Sequence, residues 1–153
     1  MRIKNIIACT FFIFLAFPLL SFSETIKYDK VKLKRAEIEL TEDRLLDVGI
    51  FIFDPNIPED IESNPLVFPE IRKAEARYIP YHLKNTLEES GFWGGVWVLP
   101  DNTKAMDLNV SGRIIKSDGY DVSIQIGVWD ISGKQWVDKL YKARVGQSSY
   151  SKR

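Results

Sequence analysis

The sequence predicts a two-layer α+β domain, with a strand, a helix and a second strand followed by a three-stranded antiparallel meander packed on one main helix. Three observations predict it. Leu46 to Phe53 is a dense run of β-branched and aromatic residues. From Glu70 to Gly91 the apolar residues recur at helical spacing. Beyond Asp107, apolar and polar residues alternate through runs separated by Asp118-Gly119 and Ser132-Gly133, both strong hairpin signals.

Taken in order, the first 23 residues read as an export leader: Arg2 and Lys4 at the start, an apolar run from Ile6 to Leu20, then Ser21-Phe22-Ser23 before Glu24. The small-x-small ending predicts cleavage after Ser23. The run is interrupted by Pro18 and spans roughly 15 residues, short of the ~20 that a spanning helix needs. An uncleaved anchor is the alternative. Cys9 sits too early for lipidation, because cleavage there would strand Phe11 to Leu20 on the mature chain. The expected location is therefore the periplasm, with membrane contact only through an uncleaved leader or a partner.

Loss of the leader removes the single cysteine together with two of the 21 basic residues and none of the 21 acidic ones, leaving a net charge of about −2. The mature chain of about 130 residues has no disulfide and is long enough to build a packed core. Its near-neutral, interspersed charge lacks the basic footprint of a nucleic-acid binder. The short cluster Lys30, Lys32, Lys34 and Arg35 leads directly into Glu37 and Glu39 and reads as a solvated edge.

Residues 24–46 predict an extended amino-terminal arm or weak edge strand, residues 47–146 a single α+β domain, and residues 147–153 a tail. The run ending at Phe53 is expected to be a central buried strand, stopped by Asp54-Pro55. Pro55, Pro58, Pro65 and Pro69 then make Asp54 to Pro69 a long surface loop. The helix is expected to bury the stripe Ile71, Ala74, Tyr78 or Ile79, Leu83 and Leu87, with Gly91 as its carboxyl-terminal cap. Pro80 lies inside it, so a kink or split is expected near Ile79. Gly94 to Pro100 is a short strand, and Asp101 to Ala105 a loop.

The meander runs are Asp107 to Lys116, Tyr120 to Ile131 and Gln135 to Val145. Period two places Leu108, Val110, Gly112 and Ile114 on one face of the first. It places Val122, Ile124, Ile126 and Val128 on one face of the second, opposite Asp121, Ser123 and Gln125. The helix is the natural cover for that apolar face.

Few residues point to chemistry. His82 is the single histidine, and its i+4 neighbour Thr86 offers no orienting carboxylate. Asp54, Glu59, Asp60 and Glu62 crowd the proline-rich loop without the Asp-x-Asp-x-Asp-Gly spacing of a calcium loop. Gly94-Gly95 is a turn and not a phosphate cradle, since no helix and lysine follow it. Trp93, Trp97, Trp129 and Trp136 divide between a core role and a carbohydrate or peptide platform.

Val48 to Asp54, the helix through Leu83 and Leu87, Val96 to Pro100, Leu108 to Ile114 with its Ser-Gly pair, and Val128 to Lys134 together resemble a group of bacterial envelope domains. The group includes the curli secretion lipoprotein, the lipoprotein activators of penicillin-binding proteins and the amino-terminal domain of TolB. Pro69 to Tyr81 also resembles an uncharacterised exported family of proteobacteria. The resemblance covers about Val48 to Val145 and implies a fold more than a task. The chain departs from these relatives in lacking a cysteine after the apolar run. It also departs in the helix they place after the last hairpin strand, which implies a cover supplied by further chain or by a partner.

The resulting expectation is an exported, non-enzymatic accessory or assembly protein of the cell envelope that binds another envelope protein, with no catalytic set, cofactor or metal. Its expected partner surface is Arg72, Arg77, Tyr78 and Tyr81 with Glu59, Asp60 and Glu62 of the loop. The competing expectation is a periplasmic hydrolase or carbohydrate-binding protein using a pair of carboxylates and the tryptophans. Convergence of two acids and a Trp in one pocket would favour that second reading. The pattern sets no oligomeric state.

Overall fold

The computed structural model describes residues 32–38, 40–59, 67–100 and 106–144. The expected leader and tail, the loop centre with Asp60 and Glu62, and the loop 101–105 lie outside the described residues. Strand β1 (Val48–Phe51) is buried along its length and runs parallel to both its neighbours, β2 (Val96–Leu99) and β3 (Leu108–Ser117). Burial on both faces is why its sequence is continuously apolar. Strands β4 (Asp121–Asp130) and β5 (Gln135–Arg144) add antiparallel, giving a five-stranded mixed sheet in the order β2-β1-β3-β4-β5. This is the predicted α+β class, with the meander and its helix in place.

Helix α1 (Pro69–Ser90) connects β1 to β2, as a parallel pair requires a crossover. Proline at its first turn loses only a donor that would be unpaired anyway. At its other end Gly91 takes the left-handed conformation, φ 71°, and donates its N–H to the Glu88 carbonyl at 3.1 Å.

The expected split at Ile79 does not occur: α1 runs through Pro80 as one 22-residue element. Its physical reason is a substitution of donors. Proline has no N–H for the carbonyl of residue 76, and that carbonyl instead accepts the N–H of Phe53 at 3.0 Å, from the chain just beyond β1. Pro80, Phe53 and Ala76 are all buried, so the proline sits at the helix–sheet junction.

The expected buried stripe holds for Ile79, Leu83 and Leu87, which pack on the core, and fails for the residues nearer the helix start. Ile71, Ala74 and Tyr78 face outward, while Arg72, Ala76, Ile79, Pro80, Leu83, Leu87 and Ser90 face the sheet. At roughly 100° per residue the two sets lie on opposite sides of the cylinder. Ala76 and Pro80 are weakly apolar and Arg72 is charged, so in the first half of the helix a hydrophobicity pattern favours the wrong side. Packing follows the Pro80–Phe53 junction instead.

The core joins Val48, Ile50, Phe53, Ala76, Val96, Val110 and Ile114, with Ile124, Ile126 and Val128 packed against it from β4. These are the meander faces that period two predicts. Gly119 and Gly133 both take φ 84° at the hairpin turns, a region open to glycine. Gly112 is tighter still: a Cβ there would lie 2.4 Å from the Phe53 ring. Ahead of β1, the described arm residues form no strand; a 3-10 turn spans Glu42–Arg44, and Ala36 donates its N–H to the Ser90 carbonyl at 2.8 Å. One helix covers one side of the sheet, and among the described residues no helix covers the other.

Candidate functional site

The outward face of α1 carries three of the seven residues of the expected partner surface, Arg77, Tyr78 and Tyr81. Tyr78 is 62% exposed and Tyr81 55%, and Arg77, one turn before Tyr81, is exposed as well. The His82 imidazole packs against both tyrosine rings, 4.1 Å from Tyr78 and 5.9 Å from Tyr81 between centroids. Phe68 and Ile71 continue this strip toward the helix start, both more than half exposed. Side-chain ordering against neighbouring rings lowers the entropy lost when such a surface binds. Glu59 is exposed at the near end of the described loop.

Arg72 does not belong to that surface and is a correction to the expectation. It is 4% exposed, and its Nη1 donates to the Ile114 carbonyl at 3.2 Å and the Pro55 carbonyl at 3.5 Å. Its position on the core stripe forces this: the guanidinium binds carbonyls at the end of the β1–β3 pairing. One helical turn along, Glu75 accepts the Ser117 hydroxyl at 2.7 Å, tying α1 to the end of β3.

A second site lies on the uncovered side of the sheet. Ser111 and Gly127 form the floor of a groove of about 330 Å³, with Trp129 and Gln135 on one side and Asp54, Arg113, Gln125 and Asp138 around it. Gly127 keeps that floor low, since a Cβ would lie 3.2 Å from the Ser111 hydroxyl. Trp129 stands against Phe51, ring centroids 5.8 Å apart. Both groove carboxylates are engaged. Asp54 pairs with the Arg113 Nε at 2.7 Å and also accepts the Asn56 N–H, and Asp138 accepts the Gln125 amide. A flat aromatic ring beside acids and amides suits a polar ligand with an apolar face.

The hairpin tips are electrostatic locks. The Asp121 and Tyr120 N–H groups and the Lys116 ammonium hold the Asp118 carboxyl down to about 2. Arg144 and Lys116 together press Asp121 well below the usual carboxylate range. At the second tip, the Ser132 hydroxyl, the Trp136 indole and the Lys134 and Ser132 N–H groups lower Asp130 to about 2. The Lys134 ammonium stands 4.1 Å over the Trp136 ring. These groups brace turns rather than face a reacting centre.

Among the described residues, no group of three or more His, Cys, Asp or Glu side chains could hold a metal, and no helix is long and apolar enough to cross a membrane. Sequence reasoning missed the groove. Its signal was present, because Gly127 and Trp129 continue the alternation of Asp121, Ser123 and Gln125. The facing residues from β3 and β5 became visible only through strand register. Comparison with protein-family models, curated proteins and solved structures finds no match for this chain, so the function is argued from its own geometry.

Proposed function

We propose that the chain is an exported, non-enzymatic accessory or assembly protein of the cell envelope, and that it binds another envelope protein through the outer face of α1. One observation carries this reading: the helix has a second apolar stripe, Ile71, Tyr78 and Tyr81, left in solvent opposite the face that packs on the sheet, with exposed Phe68 at its cap. Exposed apolar residues gathered in one strip, with exposed Arg77 at its margin, are the composition of a protein-binding surface. The leader-like start and the resemblance to envelope domains support the compartment.

Affinity capture from envelope extracts with a crosslinker tests it. The Arg77→Ala/Tyr78→Ala pair, both at exposed positions, is expected to abolish capture of the partner while leaving the fold intact. Unchanged crosslinking overturns the proposal.

A second reading has its own observation. Asp54, Asp138 and Trp129 converge on the open-face groove, the pattern expected of a carbohydrate-binding protein. Because both carboxylates already hold partners, the groove supports ligand binding better than hydrolysis. Quenching of Trp129 fluorescence by envelope glycans, lost in Trp129→Phe, is its expected signature.

A further inference from the structure

We infer that two copies of this chain pair antiparallel through the outer edge of β5, which no described strand pairs, about a two-fold axis at Leu140, merging their sheets into one. This goes beyond the partner reading above and stands independently of it.

The direction of the backbone groups comes first. The Gly112 carbonyl and the Ile114 N–H bond Asp54, and the Leu108 N–H bonds the Asp47 carbonyl, so the even-numbered residues of β3 point toward β1. The odd ones therefore point toward β4. Following the register across, Ile124, Ile126 and Val128 turn their backbone toward β5, opposite Tyr141, Lys139 and Val137. The N–H and C=O groups of Asp138, Leu140 and Lys142 are left pointing outward from the sheet. Strand β5 is 10 residues long and its register stays regular from Val137 to Arg144, an edge able to template another strand.

Charge then selects the occupant. With the axis at Leu140, Asp138 of each copy faces Lys142 of the other, twice, and Leu140 meets Leu140. On the helix side Val137 meets Ala143 and Lys139 meets Tyr141. Shifting the axis to Asp138 or Lys139 puts like charges face to face. Shifting it to Tyr141 sets Asp138 against Arg144, whose guanidinium is committed to the Asp121 carboxylate at 2.8 Å and 3.3 Å. The Leu140 register leaves that ion pair intact, and the contact Asp138 already makes is with the neutral Gln125 amide. Opposite charges directly across a strand pair stabilise it and like charges oppose it. The strand is therefore complementary to itself in one register.

The test uses the full chain, purified as the cell processes it, with Cys9→Ser so that introduced thiols stand alone. In hydrogen-bonded antiparallel pairs, opposed Cα atoms are ~5.5 Å apart, within disulfide reach. Leu140→Cys is expected to form an intermolecular disulfide under mild oxidation, whereas Lys142→Cys is not. Without any added thiol, sedimentation should show a dimer. Asp138→Lys alone should weaken it by roughly tenfold or more, and Lys142→Asp alone likewise. The double exchange Asp138→Lys/Lys142→Asp should restore it. A monomer at all concentrations, crosslinking at Tyr141→Cys in place of Leu140→Cys, or failure of the double exchange to recover the dimer overturns the inference.

Discussion

Replacing Pro80 with alanine tests the account of how α1 is seated. An interior proline costs a helix ~3 kcal/mol relative to alanine, and simple propensity reasoning predicts that Pro80→Ala stabilises the domain. The structure predicts the opposite sign. The bond missing from the helix is already replaced by the Phe53 N–H at 3.0 Å, so much of that penalty is absent from the native state. Alanine removes two buried methylene groups, at ~0.8 kcal/mol each, before any cavity cost. Greater freedom of the unfolded chain takes a further ~0.4–1 kcal/mol. The new N–H also competes with Phe53 for the Ala76 carbonyl, and a buried N–H that loses its partner costs ~1–3 kcal/mol. The methylene and unfolded-chain terms come to roughly 2–2.6 kcal/mol, and relief of the part of the helix penalty that persists offsets some of this. The expected outcome is therefore a net destabilisation of about 1–2 kcal/mol, more if Phe53 loses its partner, read as a lower urea midpoint at unchanged m-value. Hydrogen exchange at the Phe53 amide should accelerate with it. A variant more stable by 1 kcal/mol or more, or one whose Phe53 amide keeps its protection, refutes the donor-substitution argument.

Two further outcomes follow from the packing and the hairpin tips. Gly112→Ala drives a methyl into the Phe53 ring, 2.4 Å away, and should destabilise by ~1–3 kcal/mol in a denaturant titration, more than Gly127→Ala, whose nearest neighbour is a movable hydroxyl. Asp118 and Asp130 have folded pKa values lowered to about 2, below the ordinary carboxylate value, so their contribution is present above pH ~4 and is lost as pH falls through 2. Thermal midpoints of the wild type should therefore fall across that window. Asp130→Asn should lower the neutral-pH midpoint and flatten the fall, and an unaltered slope counts against the lock.

Much of the fold was legible because its determinants are local. The glycines at 119 and 133 set the hairpins, the alternation from Leu108 to Val128 sets which side faces the helix, and Gly91 stops α1. What escaped was decided by contacts far apart in the chain. No local pattern shows that Phe53 donates to Ala76 or that Arg72 reaches the Ile114 carbonyl, and these contacts set the rotation of the helix. For the same reason the stripe left Tyr78 and Ile79 as alternatives, of which Ile79 packs on the core, and Arg72 read as surface. Tyr81 and Arg77 were placed correctly because they lie away from the packed side. The groove combines residues from β1's exit, β3, β4 and β5, and it exists only once register is known.

The sheet is divided by the way its strands find one another. Strands β3, β4 and β5 are joined by tight turns and meet neighbours close in sequence, whereas β1 reaches β3 across about sixty residues. The meander is thus expected to assemble early, and to offer the stretch Leu108–Val110 as a ready-made rail for Val48–Ile50. Docking of β1 then brings the Phe53 amide to α1, so the helix gains its replacement bond only in the final closing step. Slow unfolding should begin in reverse, with β1 and β2 peeling from a surviving three-stranded ribbon, and pulse-labelled amides would show these two groups exchanging at separate rates.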